Sequence, residues 1–225
     1  MSTEKIIEYY NQLASEYDEN RFGNSYGQFI DFQERRILNK IFKNQSGKIL
    51  DLACGSGRLT NFATSGADAS EEMLKIAQKK HSEREFFQAK SNELPFEKET
   101  FQGCLTFHFI MHLNEVIFTK TIDEVHRILS KNGTFVFDIP VKNRRKIINQ
   151  NQENWHAALS FNQDEIEKFI KNKFEIRKKF GLLIIPIHRI PKRFRKYFLT
   201  FDFLLSNFGL LKNLSSYHIY ELRKI

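Results

Sequence analysis

Ile49-Leu50-Asp51-Leu52-Ala53-Cys54-Gly55-Ser56-Gly57 is a short apolar run that ends in a glycine pair. A strand that delivers its chain into Gly-x-Gly makes a tight turn, where backbone can approach a ligand closely. Dinucleotide-binding turns carry a third glycine and an acid about 20 residues further on. Here Thr60 stands where the third glycine belongs, and the next acid is Asp68. The turn therefore admits a ligand without the usual phosphate-binding spacing.

Working outward, strand-like and helix-like segments alternate, the signature of a parallel sheet covered on both faces. Upstream, Ile6, Ile7, Tyr10 and Leu13 form one helical stripe, and Phe29, Phe32, Ile37, Leu38, Ile41 and Phe42 another. Residues 17–27, polar and glycine-punctuated, read as a loop between them. Lys48 to Leu52 is the first strand. Ser70 then caps a helix whose first turn is acidic, satisfying and complementing its free N–H groups. Residues 85–88 and 101–107 read as strands, 115–130 as a helix ended by Lys131-Asn132-Gly133, and 134–139 as a strand stopped by Pro140. Beyond it come a polar linker (142–155), a helix (162–172), a strand (174–185), a helix (191–208) and a last strand (216–222).

The 225 residues, 41% hydrophobic and 28% charged, suit one folded α/β domain and exclude wholesale disorder. No apolar run is long enough to cross a membrane, the N-terminus has no signal-peptide pattern, and two cysteines make no disulfide framework. The chain reads as cytoplasmic, with Cys54 and Cys104 reduced. The net charge of +8 is uneven: residues 1–100 carry 14 Lys/Arg against 16 Asp/Glu, leaving +10 for the remainder. That asymmetry suits an anionic partner or a solvated basic face equally.

The glycine turn and its company resemble the class I methyltransferases, in the small-molecule branch of the methyltransferase-11 or UbiE-like kind. Leu50 to Arg58 reads LDLACGSGR against a family pattern near LDLGCGTGR. Asp68-Ala69-Ser70-Glu71-Glu72-Met73-Leu74 is similar to the acid and helix that follow the family's second strand. Leu94-Pro95-Phe96 matches its LPF turn, His112-Leu113 its HHL, and Arg127 to Thr134 its RVLKPGG passage.

The resemblance covers about residues 9–140 and implies a doubly wound, mostly parallel, seven-stranded Rossmann-like sheet in the order 3-2-1-4-5-7-6. It implies one domain over 1–225: a helical cover (1–45), a cofactor-binding half (46–140) and a basic half (141–225). It also implies S-adenosylmethionine as cofactor, held by Tyr17, Asp51, Ala53, Cys54, Gly55, Gly57, Asp68, Ala69, Met73, Lys90, Ser91 and Phe107. In this scheme Asp51 meets the ligand's amino group, directly or through water, and Asp68 accepts both ribose hydroxyls, a carboxylate having two oxygens at the separation a vicinal diol requires. Met73 packs beside the adenine, and Tyr17 and Tyr26 cover the cofactor.

Two departures stand out. Only residues 58–65 separate Gly57 from Gly66, which predicts a stunted helix, a rudimentary second strand and a displaced Asp68. Lys90 stands near the place of an adenine-binding acid and cannot accept a hydrogen bond, so Ser91 or a backbone carbonyl must serve.

Methyl transfer is an in-line displacement that needs a base only when the acceptor is protonated. His108 and His112 are the candidate catalytic residues. Their spacing would suit zinc, but no neighbouring carboxylate or cysteine in the sequence completes a ligand set, so no metal is expected. The acceptor implied is a small molecule, lipid-linked in one version. An RNA methyltransferase and a non-catalytic binding module are the rival readings, and the first lacks an N/D-P-P-[FY] motif after the fourth strand, where Thr106-Phe107-His108-Phe109 stands. In 191–208, an apolar aromatic stripe behind Lys192, Arg193, Arg195 and Lys196 predicts a lid or peripheral contact with an anionic membrane.

Overall fold

A computed structural model describes residues 3–147 and 159–225. Seven strands form one sheet: β1 (Ile49–Leu52), β2 (Ser65–Asp68), β3 (Glu85–Gln88), β4 (Phe101–Thr106), β5 (Leu129–Pro140), β6 (Phe174–Leu182) and β7 (Tyr217–Lys224). Their order is β3-β2-β1-β4-β5-β7-β6, as the resemblance implied. The first five are parallel, while β7 runs antiparallel to both β5 and β6.

Alternation along β1 sends Leu50 and Leu52 to one face and Ile49 and Asp51 to the other. The first face packs on α4 (Glu115–Ile128) and α6 (Gln163–Ile170) through Phe118, Ile122, Val125 and Ile166. The second packs on α2 (Ser25–Phe42) and α7 (Arg195–Ser206), through Phe29, Ile37, Leu38 and Phe203. The α1 helix (Thr3–Leu13) lies against α3 (Glu71–Lys80).

The first crossover is stunted, as its length predicts: one 3-10 turn, Thr60–Phe62, replaces an α-helix. Yet β2 keeps its register, with Leu50, Asp51 and Leu52 opposite Ser65, Gly66 and Ala67. Thr64 secures the alignment. Its hydroxyl accepts the Ile49 N–H at 2.9 Å, and its own N–H donates to the Ile49 carbonyl at 2.8 Å. A side chain at Gly66 would collide with Phe86 and with Cys54 Sγ, so the short strand needs glycine there. The displacement expected for Asp68 does not occur.

Several boundaries differ from the sequence reading. The 17–27 segment contains a π-helical turn, Glu19–Gly23, and α2 already begins at Ser25, where the Asn24 side chain accepts the Tyr26 and Gly27 N–H groups. The α4 helix stops at Ile128, because Leu129 turns extended and pairs with Phe101; Lys131-Asn132-Gly133 lies inside an irregular β5. Pro191 is extended, so a 3-10 turn (Lys192–Phe194) precedes α7. The expected linker begins as a short helix, α5 (Lys142–Ile147), and the rest of it lies outside the described residues. Both cysteines are free and buried.

Candidate active site

The site lies at the carboxyl ends of β1, β2 and β4, the place where open α/β sheets bind ligands. After β1 the chain turns back on itself: Cys54 N–H donates to the Ala67 carbonyl at 3.1 Å, and Gly57 N–H to the Cys54 carbonyl at 3.0 Å. Ala53, Gly55 and Gly57 all have positive φ, at 54°, 53° and 80°. The two glycines do different work. A Cβ on Gly55 would meet nothing, so that residue faces open space, whereas one on Gly57 would press on Ala77 and His81 of the α3 region.

Asp68 closes the turn from β2. Its Oδ2 accepts the Gly55 N–H and its Oδ1 the Ser70 N–H, both at 2.8 Å. Burial raises its pKa, against the pull of these backbone donors. The carboxylate is thus fixed at the lip of the cavity beside Ala69 and Met73.

The cavity is walled by Leu52, Ala53, Gly55, Asp68, Ala69 and Ser70 on the turn side, and by Met73, Ala89, Ser91, Phe107, His108, Phe109 and His112 beyond. Ile6, Ile7, Tyr10 and Tyr17 roof it. Three contacts tie that roof down: Ser70 Oγ to Asn11 at 2.7 Å, Ser56 Oγ to Asp18 at 2.5 Å, and an Asp18–Lys80 ion pair. About 100 Å³ remains open beneath it. That is below the roughly 300 Å³ at which ligand pockets begin.

Of the twelve residues expected to hold cofactor, Tyr17, Ala53, Gly55, Asp68, Ala69, Met73, Ser91 and Phe107 line the cavity. Asp51, Cys54, Gly57 and Lys90 do not. Asp51 points to the α2 face, 3% exposed, and accepts the Thr60 hydroxyl at 2.7 Å; burial lifts its pKa to about 7. It is not part of the cavity wall. Cys54 is buried under the turn, with its thiol pKa pushed well up by burial. Lys90 lies outside the cavity with Nζ 3.5 Å from Glu4 Oε1, and the Ser91 hydroxyl is shared with Thr121 at 2.8 Å. The sequence reading missed Ile6, Ile7 and Tyr10 as roof residues. Their stripe was visible, but nothing local says that it faces a cavity.

A second cavity, of about 680 Å³, adjoins the first, and Tyr10, Tyr17, His108 and His112 line both. The Tyr26 expected as a cofactor cover lines only this second one.

The two histidines at the junction differ. His108, at φ 55°, donates its N–H to Asp138 Oδ1 at 2.7 Å. Its Nε2 lies 2.7 Å from Glu34 Oε1 and its Nδ1 3.7 Å from Asp138 Oδ2, so both ring nitrogens face carboxylates. Both contacts lie within ion-pair distance. Burial pulls the His108 pKa down, but the charges of Glu34 and Asp138 outweigh it and raise it. Burial likewise drives Asp138 up to about 6, while in Glu34 the cations His108 and Arg58 overcome burial and hold the carboxyl at about 2. The two carboxylates therefore bias His108 toward its protonated form. His112 instead faces Tyr10, with Nε2 3.2 Å from the hydroxyl.

Glu34, His108 and Asp138 could also place three ligand atoms within 4.8 Å of one another. Sequence spacing hid this set, because Glu34 comes from α2. When protonated, His108 would supply positive charge to the two carboxylates.

This sheet order, with a glycine turn after β1 and an acid at the tip of β2, defines the class I S-adenosylmethionine-dependent methyltransferases. Residues 50–137 match the methyltransferase domain family. An uncharacterized protein of Methanocaldococcus jannaschii is 34% identical over 137 residues, 60% of this chain and 51% of that one. The ubiquinone/menaquinone biosynthesis C-methyltransferase UbiE of Campylobacter jejuni is 30% identical over 149 residues, 59% and 62% of the two chains. Among solved structures, a methyltransferase of Thermotoga maritima superposes with a TM-score of 0.71 at 17% identity, covering 96% and 98% of the chains. Magnesium protoporphyrin IX methyltransferase of Synechocystis, with bound S-adenosylhomocysteine, gives 0.68 at 15% over the full length of both.

Residues 50–137 thus match a methyltransferase domain, and the chain has the class I methyltransferase fold. The match spans between half and two thirds of the length of these curated relatives.

Proposed function

We propose that the protein transfers a methyl group from S-adenosylmethionine to a small-molecule acceptor bound in the second cavity. The observation that carries this reading is the pair of adjoining cavities, with His108 and His112 in the lining of both. The residues fit the cofactor: Gly55 leaves open space where a side chain would stand, Asp68 presents a fixed carboxylate, and Met73 offers an apolar wall. When bound there, the sulfonium supplies an electrophilic methyl group.

The chain's own work is positioning and exclusion of water. Asp68 would take the ribose hydroxyls, Tyr17 and Phe107 would wall the methyl end, and the roof would keep water out. The His112–Tyr10 pair would accept the acceptor's proton if it carries one. Burial raises the Tyr10 pKa, so its hydroxyl stays protonated and donates to or accepts from His112 without ionising.

A specific observation favours reaction at a membrane surface. Phe194, Tyr197, Phe201, Leu204 and Phe208, at alternating steps of three and four, are exposed, Tyr197 by 70% and Phe208 by 72%. Lys192, Arg193 and Lys196 flank them, and within 191–214 the sole acid is the buried Asp202. A solvent-facing apolar stripe among cations fits an anionic bilayer surface. Among the described residues no helix is long and apolar enough to cross one.

The test is incubation with S-adenosylmethionine labelled on the methyl group and an organic-solvent extract of small molecules. Label should enter the small-molecule fraction and fall at least tenfold in His112→Gln, the scale of a lost general base. Label in added RNA and none in the extract would instead support the RNA reading.

A further inference from the structure

The second cavity has a chemical polarity that the methyl-transfer reading does not use. Four of its residues, Arg21, Arg144, His188 and Arg189, are cations or can become so, and none of them lines the cofactor cavity. No carboxylate lines the second cavity among the described residues. The remaining wall is apolar and aromatic, with Ile30, Met111, Leu183, Ile187 and Tyr217 among its residues.

Two arginines elsewhere in the protein are paired with acids. Arg58 meets Asp31 at 2.5 Å and Glu34 at 2.7 Å, and Arg127 meets Glu124 at 2.7 Å. Arg21, Arg144 and Arg189 have no carboxylate within ion-pair distance among the described residues. Arg144 adds a further observation. Among the described residues its buried Nε has no hydrogen-bond partner, and its Nη2 reaches the Ile184 carbonyl at 3.4 Å. A guanidinium has five N–H donors, and leaving a buried one unmade is costly unless a ligand completes it. Arginine also presents those donors as a fork that matches carboxylate and phosphate oxygens.

We infer that the methyl acceptor is an anion with an apolar body, bound so that its carboxylate or phosphate meets Arg144 and Arg189 while its nucleophile lies at the His108–His112 junction. The inference rests on the acceptor reading of the second cavity. It makes Arg144 and Arg189 specificity residues. The atom that receives the methyl lies at the other end of the molecule, so the anionic group is a handle and is not itself methylated.

The test uses calorimetric titration of the S-adenosylhomocysteine-loaded protein with three probes of similar size: benzoate, phenyl phosphate and the neutral benzyl alcohol. At least one anion should bind about 10-fold or more tightly than the alcohol, the scale of one charge-assisted contact. The tighter anion distinguishes carboxylate from phosphate. In Arg144→Gln and Arg189→Gln the preference should fall toward parity, with S-adenosylhomocysteine affinity unchanged, which also reports that the variants are folded. Equal or tighter binding of benzyl alcohol, no binding of either anion, or a preference that survives both substitutions would overturn the inference. Failure of the unmodified protein to bind S-adenosylhomocysteine would strike the methyltransferase reading beneath it, a separate and distinguishable result.

Discussion

At the residue scale, Ala53 and Asp51 carry two predictions about the turn. Ala53 occupies a left-handed position, φ 54°, where the family pattern has glycine. An L side chain there costs about 1–2 kcal/mol, and glycine's extra freedom in the unfolded chain takes back roughly 0.5–1. Ala53→Gly should therefore stabilise the protein by up to about 1 kcal/mol in urea denaturation. Asp51 has a pKa lifted from 3.8 to about 7 by burial. Between those values the unfolded chain loses its proton and the folded one keeps it, so the group's contribution to stability falls as pH rises from about 4 to 7. Asp51→Asn, which can still accept the Thr60 hydroxyl, should flatten the stability profile across that window and raise stability at pH 7. An unchanged slope would contradict the assigned burial. The motif lettering alone assigns Asp51 to the ligand, because it shows neighbours along the chain and not which face of β1 a side chain takes.

At the element scale, much of the architecture is legible in local pattern. The Ser70 cap, the acidic first turn of α3 and the apolar stripe of α4 each name their element from a few residues. The short crossover was legible as a length, but its solution was not. Thr64 and Gly66 rescue β2 through contacts with Ile49, Phe86 and Cys54, which are distant in sequence or unremarkable in type. The same limit applies to His108, whose protonation is set by Glu34 on α2 and Asp138 on β5. For α7 the sequence showed an apolar stripe, and the fold reveals which side of it is open. Phe198 and Phe203 pack inward, while Tyr197, Phe201 and Leu204 face solvent. The full chain should co-sediment with vesicles containing anionic phosphatidylglycerol, and at least tenfold less with neutral phosphatidylcholine. Tyr197→Ser with Phe201→Ser should abolish the difference while leaving S-adenosylhomocysteine binding intact. Equal sedimentation with both vesicles would remove the membrane reading.

At the scale of the whole molecule, the sheet divides the work. Its parallel half supplies the glycine turn, Asp68 and the cofactor cavity, and it carries the acidic part of the chain. The antiparallel half, with the segments that join it, supplies the cationic wall of the second cavity and the exposed stripe of α7. Part of the uneven net charge seen in the sequence thus has a place in the fold: Arg144, His188 and Arg189 line the second cavity. The two halves meet at His108 and His112, and the roof formed by α1 and Tyr17 closes over the cofactor side. This arrangement has one requirement, that the stunted crossover still leaves a working cofactor site. Calorimetric titration with S-adenosylhomocysteine tests it most directly. The geometry of Gly55 and Asp68 predicts saturable one-to-one binding in the micromolar range, weakened about 10-fold or more in Asp68→Ala by loss of a charge-assisted contact. Absence of binding to the unmodified protein at millimolar ligand, or an Asp68→Ala variant that binds as tightly, would contradict it.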